Sequence, residues 1–134
     1  MAIKIGASTA AVVDDDESIR AMVGLVLAQD GWQVLEAVDG ESGLRMILDD
    51  LPQVVVVDMQ MPRLNGLQLT RRVRDEGLFG DQVRIIIYTA GATTEQEALK
   101  AGADALVIKA GPVRRLRDAI RGIAPAEEPL APNL

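Results

Sequence analysis

Short apolar runs alternate with longer amphipathic segments along most of this 134-residue chain. The apolar runs are rich in β-branched residues, and two of them, "VVVV" and "III", are continuous. Continuous runs of this length are typical of strands that are covered on both faces, as in a parallel sheet. The runs predict five strands, at residues 10–13, 32–37, 54–58, 84–88 and 105–108.

Apolar residues recur at helical spacing after each of these predicted strands. Pro52 is expected to end the second helix, and Gly77 the third. Thr94 and Glu97 have the spacing of a capping box at the start of the fourth helix, and Pro112 suits the first turn of the fifth. The segments with helical periodicity are, in chain order, residues 19–27, 44–51, 64–77, 94–102 and 113–123.

Five strand–helix units in succession predict an α/β fold. The expected architecture is a flavodoxin-like (βα)5 domain, a doubly wound parallel sheet with strand order 2-1-3-4-5 and right-handed crossovers. Residues 1–123 are predicted to form this domain. Residues 124–134 contain three prolines and no periodicity, which predicts a Pro-rich tail or linker stub.

Polar residues stand where the predicted strands end. Asp14 and Asp15 follow the first strand, Asp58 ends the third, and Thr89 and Lys109 follow the fourth and fifth. Sites in open parallel sheets form at the carboxyl ends of the strands, near the switch point of the strand order, which here lies between strands 1 and 3. The acid pair and Asp58 are therefore expected to meet, with a hydroxyl and an amine beside them.

Such a group of residues suits a narrow range of chemistry. Three carboxylates with backbone carbonyls are ligands for a hard divalent cation, Mg²⁺ or Mn²⁺, which would relieve their repulsion. Thr89 could then donate to a phosphate oxygen, and Lys109 could supply positive charge. A carboxylate held in this way can attack phosphorus and form an aspartyl phosphate. The next acids, Asp16 and Glu17, are interpreted as a helix N-cap and a first-turn acid.

Composition excludes several other function classes. The chain has no cysteine and no histidine, so disulfides, thiolate or imidazole metal sites and histidine-based catalysis are ruled out. Phosphoryl transfer depends mainly on positioning and charge neutralisation, so it does not require histidine in this chain. The net charge of −6 argues against direct nucleic-acid binding. No apolar run approaches the roughly 18 residues of a membrane helix, and we expect a cytoplasmic protein.

Four motifs together resemble a known family. They are "VVDDDESIR", "VVVVDMQMPRLNG", "IIIYTAG" and "AGADALVIKA"; the first contains both Asp14 and Asp15, and each of the others contains one strand-end polar residue. Over about residues 8–123 the chain resembles a response-regulator receiver domain of bacterial two-component signalling. Each motif alone is weak evidence, but the four in this order are specific.

The resemblance implies a function for each site residue. Asp58 would accept a phosphoryl group from the phosphohistidine of a sensor histidine kinase or phosphotransfer protein. Asp14 and Asp15 would hold Mg²⁺, with Asp15 and the backbone carbonyl of Gln60 as direct ligands, alongside Asp58. Thr89 and Lys109 would contact the phosphoryl group.

The resemblance also implies a regulator and not a turnover enzyme. Its only catalysis would be its own phosphotransfer and autodephosphorylation. Phosphorylation would switch the face formed by the fourth helix, fifth strand and fifth helix, which controls an output and could also form a homodimer.

Two positions depart from the family pattern. Ala110 follows Lys109 where the family usually has proline, so the loop after the fifth strand is expected to be less constrained. Leu106 stands where the family often has an aromatic residue whose rotation reports phosphorylation, so that form of coupling is not expected here. The positions of Gln60 and Gly91 vary in the family and tune dephosphorylation.

Two other functions are compatible with parts of the pattern. The departures at Leu106 and Ala110 would suit a receiver-like interaction module that works without phosphate. The D-x-D within "DDD" resembles haloacid-dehalogenase phosphatases, in which Asp14 would be the nucleophile and Asp16 the acid–base group. The phosphatase hypothesis leaves Asp58 without a role. A flavin module is disfavoured because four acids stand where a phosphate-binding loop would be.

Overall fold

The computed structural model describes residues 8–76, 80–91 and 93–124. Its centre is a five-stranded parallel sheet in the order β2-β1-β3-β4-β5, so the predicted fold class is confirmed. The strands are β1 (Thr9–Val13), β2 (Gln33–Ala37), β3 (Val54–Asp58), β4 (Arg84–Thr89) and β5 (Ala105–Ile108).

Helices cover both faces of this sheet. They are α1 (Glu17–Gln29), α2 (Gly40–Asp50), α3 (Gly66–Glu76), α4 (Glu95–Ala101) and α5 (Val113–Ile123), with a short 3₁₀ turn at Gly80–Gln82. Buried side chains of α1 and α5 pack on one face, and those of α2, α3 and α4 on the other. Both faces of β3 are therefore covered, which explains why its apolar run is continuous.

The ends of the elements differ slightly from the prediction. The capping box is confirmed, since the Thr94 hydroxyl accepts from the Glu97 N–H while the Glu97 carboxylate accepts from the Thr94 N–H. The third helix begins at Gly66, two residues later than predicted. Pro112 is the N-cap of α5 and not a first-turn residue, because its ψ of 146° is extended although its φ of −66° suits a helix. Gly77 lies outside the described residues.

The predicted tail also lies outside the described residues, except for Ala124, which caps α5. The division of the chain at residue 123 therefore stays a prediction. No helix in the described part of the chain is long and apolar enough to cross a membrane.

The loop between β3 and α3 is held by two close backbone contacts. A Cβ added at Gly66 would lie 2.6 Å from the Asp58 carbonyl oxygen, and one added at Gly40 would lie 2.2 Å from the Leu64 carbonyl oxygen. Both distances are too short for a real side chain, so only glycine fits at either position. The N-terminus of α2 and the first residue of α3 therefore determine the path of the loop that carries Gln60.

Candidate functional site

Three of the predicted residues meet at the carboxyl end of the sheet. Asp14 directly follows β1, Asp58 is the last residue of β3, and Lys109 directly follows β5. Side chains alternate between the two faces of a strand, and this alternation directs all three toward the face covered by α1 and α5. The neighbouring strands β1 and β3 pair in register up to Val13 and Val57, so Asp14 and Asp58 lie side by side.

Lys109 bridges the two buried carboxylates. Its Nζ lies 3.1 Å from Asp14 Oδ2 and 3.1 Å from Asp58 Oδ1. The Asp14 and Asp58 side chains are only 3% and 8% exposed, which makes this a largely desolvated ion triad. The ammonium also lies 5.8 Å from the centre of the Tyr88 ring, within cation–π range.

The carboxylates differ in how many oxygens are already used. Asp14 Oδ1 accepts from the Asp16 N–H at 2.9 Å, and its Oδ2 accepts from Lys109, so both oxygens are engaged. Within the described residues, Asp58 Oδ2 and the side chain of Asp15 make no hydrogen bond or ion pair. Asp15 is exposed to solvent. Asp58 and Asp15 therefore keep oxygens that an incoming group can use.

The same three carboxylates fit a divalent cation. One oxygen from each of Asp14, Asp15 and Asp58 lies within 4.8 Å of the others. Carboxylate oxygens are ligands that suit Mg²⁺, which also keeps several of its waters. Gln60 is exposed in the loop two residues beyond Asp58. Its role as a carbonyl ligand stays a prediction.

Thr89 connects to this group through the backbone. Its carbonyl oxygen accepts from the Lys109 N–H at 2.7 Å, which joins the ends of β4 and β5. The side chain is fully buried, and its hydroxyl accepts from the Gly91 N–H at 3.2 Å. The end of the β4 strand therefore helps to hold the Lys109 main chain in place.

Burial and neighbouring charges shift two pKa values in the triad. Burial raises the pKa of Asp14, and the nearby Asp58 charge adds to this, while the Asp16 N–H and Lys109 partly oppose it. Burial alone would lower the pKa of Lys109, but its hydrogen bond to Asp58 and the charge of Asp14 outweigh burial and raise it. Lys109 is therefore firmly protonated, and Asp14 binds a proton more readily than an ordinary aspartate.

The raised pKa of Asp14 predicts that Asp14→Asn reduces the pH dependence of stability in the metal-free protein. The folded state binds this proton more tightly than the unfolded state, so stability falls as pH rises above the ordinary value of 3.8. Asparagine does not titrate, and it offers one acceptor oxygen where Asp14 uses two. We therefore expect the fall in the free energy of unfolding between pH 4 and pH 7 to be smaller in Asp14→Asn than in the wild type, measured by urea denaturation in chelator.

The control for this prediction is Asp49→Asn, which changes an exposed carboxylate on α2. We expect its effect to stay within about 0.5 kcal/mol. An equal fall in stability between pH 4 and pH 7 in Asp14→Asn and in the wild type would contradict the prediction.

Arg20 is a site neighbour that the sequence reasoning did not identify. Its Nη1 donates to the Asp14 main-chain carbonyl at 2.8 Å, and its Nε lies 3.4 Å from Glu36 Oε1 on β2. A basic residue near the N-terminus of a helix is unfavourable for the helix dipole. The position of Arg20 near the start of a predicted helix was therefore the one feature of the sequence that could have indicated a tertiary partner.

This fold and its group of acidic residues agree with the predicted family, and the comparison with protein families gives the same result. The family model of the response regulator receiver domain matches residues 10–121. The chain therefore belongs to the response regulator receiver domain family of two-component signalling, whose members are generally regulators and not catalytic enzymes.

Individual relatives and solved structures support the same family. The chain is similar to response regulator MprA of Mycobacterium sp. (strain KMS), with 35% identity over 129 residues, covering 92% of this chain and 55% of the relative. The chain thus spans about half the length of the curated relatives it matches.

Two solved structures share its fold. A putative response regulator from Chloroflexus aurantiacus J-10-fl has a TM-score of 0.80 and 29% identity, over 88% of this chain and 98% of that one. The signal receiver domain of the putative response regulator NarL from Mycobacterium tuberculosis has a TM-score of 0.77 and 27% identity, over 87% of this chain and 94% of that one.

Proposed function

We propose that this chain accepts a phosphoryl group on Asp58 from the phosphohistidine of a sensor histidine kinase or phosphotransfer protein. The observation that carries the proposal is that the two buried carboxylates, Asp14 and Asp58, differ in how many of their oxygens already accept hydrogen bonds. Asp58 keeps Oδ2 free within the described residues, while Lys109 holds its other oxygen. Membership of the receiver family supports the same role.

The proposed reaction is a direct displacement at phosphorus. Asp58 Oδ2 attacks the phosphorus atom, the P–N bond to the histidine breaks, and its electron pair leaves with the imidazole. Lys109 lies close enough to Asp58 to balance the charge that gathers on the phosphoryl oxygens. Thr89 is proposed to donate its hydroxyl hydrogen to one of those oxygens.

A divalent cation, Mg²⁺ or Mn²⁺, is proposed to be held by Asp14, Asp15, Asp58 and the carbonyl of Gln60. When bound, it would supply positive charge to the phosphoryl oxygens. Asp15 and the Gln60 carbonyl are proposed as direct ligands because both oxygens of Asp14 already accept hydrogen bonds. The proximity of the three carboxylates supports a cation site here.

The alternative nucleophile, Asp14, is less suitable. Attack by either of its oxygens would break the contact with the Asp16 N–H or with Lys109. The phosphatase hypothesis is therefore not favoured, and Asp58 would have no role in it. The remaining alternative is an interaction module that works without phosphate, and a phosphorylation experiment distinguishes it from a phosphoacceptor.

The output face is proposed to be formed by α4, β5 and α5. Three apolar side chains are exposed there, Leu99, Ile108 and Val113. Leu106 packs against the apolar layer of α2, α3 and α4 in place of an aromatic residue. We propose that this face forms a homodimer or contacts the output after phosphorylation, and light scattering of the phosphorylated chain measures its oligomeric state.

Phosphorylation by acetyl phosphate tests the proposed function. We expect intact-mass analysis to show one phosphoryl group when Mg²⁺ is present and none when a chelator replaces it. Because an acyl phosphate reacts with hydroxylamine, this reagent should remove the group. A folded, unmodified protein in both samples would contradict the proposal and favour the phosphate-independent module.

A further inference from the structure

Arg20 joins three elements beside the acidic residues. It is the fourth residue of α1, and its side chain is only 14% exposed. One guanidinium nitrogen donates to the main-chain carbonyl of Asp14 at the end of β1, and another lies 3.4 Å from the carboxylate of Glu36 on β2. The guanidinium is therefore held in one position from two sides.

This contact acts on the backbone next to Asp15. The peptide group before Asp15 carries the Asp14 carbonyl, which accepts from Arg20 at 2.8 Å. The peptide group after Asp15 carries the Asp16 N–H, which donates to Asp14 Oδ1 at 2.9 Å. Both peptide groups that flank Asp15 are thus fixed by one hydrogen bond each.

The side chain of Asp15 has no such support of its own. It is exposed and makes no hydrogen bond or ion pair within the described residues. The direction of its Cα–Cβ bond is therefore set by the two flanking peptide groups. If the Asp14–Asp15 peptide could rotate, the Asp15 carboxylate would lose its alignment with Asp14 and Asp58.

We propose that Arg20 is a positioning residue for divalent-cation binding, because it orients the peptide that aims Asp15 at the site. This proposal rests on the proposed function, in which Asp15 is a direct ligand. A preorganised ligand costs less conformational entropy when the cation binds. Glu36 contributes by holding the guanidinium and by offsetting its charge.

Simple electrostatics predicts the opposite effect, which makes the proposal testable. A guanidinium beside acidic residues repels a cation, so removal of its charge alone should strengthen cation binding. Loss of the hydrogen bond to Asp14 should weaken it instead. The sign of the change in affinity therefore separates a positioning role from a purely electrostatic one.

The test is the dissociation constant of Mg²⁺ measured by titration calorimetry on the unphosphorylated full chain. For Arg20→Met we expect about tenfold weaker binding, the size typical of losing a group that orients a metal ligand. Arg20→Lys keeps the charge but cannot contact Asp14 and Glu36 together, so we expect an intermediate loss. The matched control, Arg71→Met, removes an exposed charge from α3 and should leave the constant within about twofold, as for other surface changes.

Kinetics provides a second readout. The Mg²⁺ concentration for half-maximal phosphorylation by acetyl phosphate should rise in Arg20→Met, while the rate at saturating Mg²⁺ stays near the wild-type value. Glu36→Gln keeps the Arg20–Asp14 bond and should lose less affinity than Arg20→Met. If Arg20→Met does not fold, as judged by circular dichroism, Arg20→Lys decides the question.

The outcomes distinguish this proposal from the proposed function. Unchanged or tighter Mg²⁺ binding in the Arg20 variants, with normal binding and phosphorylation in the wild type, would overturn only the role of Arg20. A wild-type chain that binds no Mg²⁺ would overturn both proposals.

Discussion

Asp58→Asn is expected to abolish phosphorylation of this chain by acetyl phosphate. The asparagine keeps the shape of the side chain and an oxygen that can accept from Lys109, but its amide is not a nucleophile. The substitution also removes one of two buried like charges, so we expect the variant to stay folded. Intact mass after incubation with acetyl phosphate and Mg²⁺ is the measurement.

The comparison with Asp14→Asn assigns the nucleophile. In Asp14→Asn we expect a phosphoryl group to form, though it should require more Mg²⁺ because one negative charge beside the cation is lost. A phosphoryl group that survives Asp58→Asn and disappears in Asp14→Asn would instead support the phosphatase hypothesis. Asp75→Asn, which changes an exposed acid on α3, controls for the general effect of losing one charge.

Lys109→Met is expected to cause the largest loss of stability among the site substitutions. It leaves two buried carboxylates without their shared cation, and removing one partner of a buried ion pair costs about 3 kcal/mol or more. The pKa of Asp14, already raised by burial, should rise further. Its folded form then prefers the proton, so the stability deficit should grow as pH rises from 3.8 and shrink on acidification.

Urea denaturation in chelator at pH 4 and pH 7 measures this deficit. Adding Mg²⁺ at a hundred times its dissociation constant should return about 2.7 kcal/mol, provided that the variant binds the cation. The double variant Lys109→Met/Asp14→Asn should be more stable than Lys109→Met alone, because it removes one of the two buried charges that Lys109→Met leaves without a cation. Lys100→Met, on the exposed surface of α4, is the matched control. Equal losses in Lys109→Met and Lys100→Met would contradict the prediction.

Lys109→Met should also be phosphorylated slowly by acetyl phosphate, even under conditions in which it is folded. Lys109 is the cation that touches Asp58, and phosphoryl transfer depends on balancing charge on the oxygens of the transferred group. The stability and kinetic effects therefore have one cause, the position of a single ammonium between two carboxylates.

Most of the fold could be predicted because local pattern and global architecture agree. Continuous apolar runs indicate strands covered on both faces, and a parallel sheet requires a helix between successive strands. The errors lie at helix ends, as at Pro112, where a φ compatible with a helix does not decide whether the residue is inside it. Such boundaries depend on hydrogen bonds that only the folded chain forms.

The candidate site was predictable for a related reason. The carboxyl ends of parallel strands meet at one edge of the sheet, so Asp14, Asp58 and Lys109 could be grouped without knowing any distance. What the pattern could not supply was the difference between Asp14 and Asp15, which are neighbours in sequence. One is buried and fully hydrogen-bonded, and the other is exposed, because their side chains leave the chain in different directions.

The sequence by itself therefore determined the strands, their order and the residues at their ends, since these follow from periodicity and from the rules of parallel sheets. Only the tertiary structure decided that Asp58 keeps one oxygen free within the described residues, and that Lys109 contacts both Asp14 and Asp58. It also revealed Arg20, whose partner is a backbone carbonyl. Every residue has such a carbonyl, so no pattern of side chains could have indicated that contact.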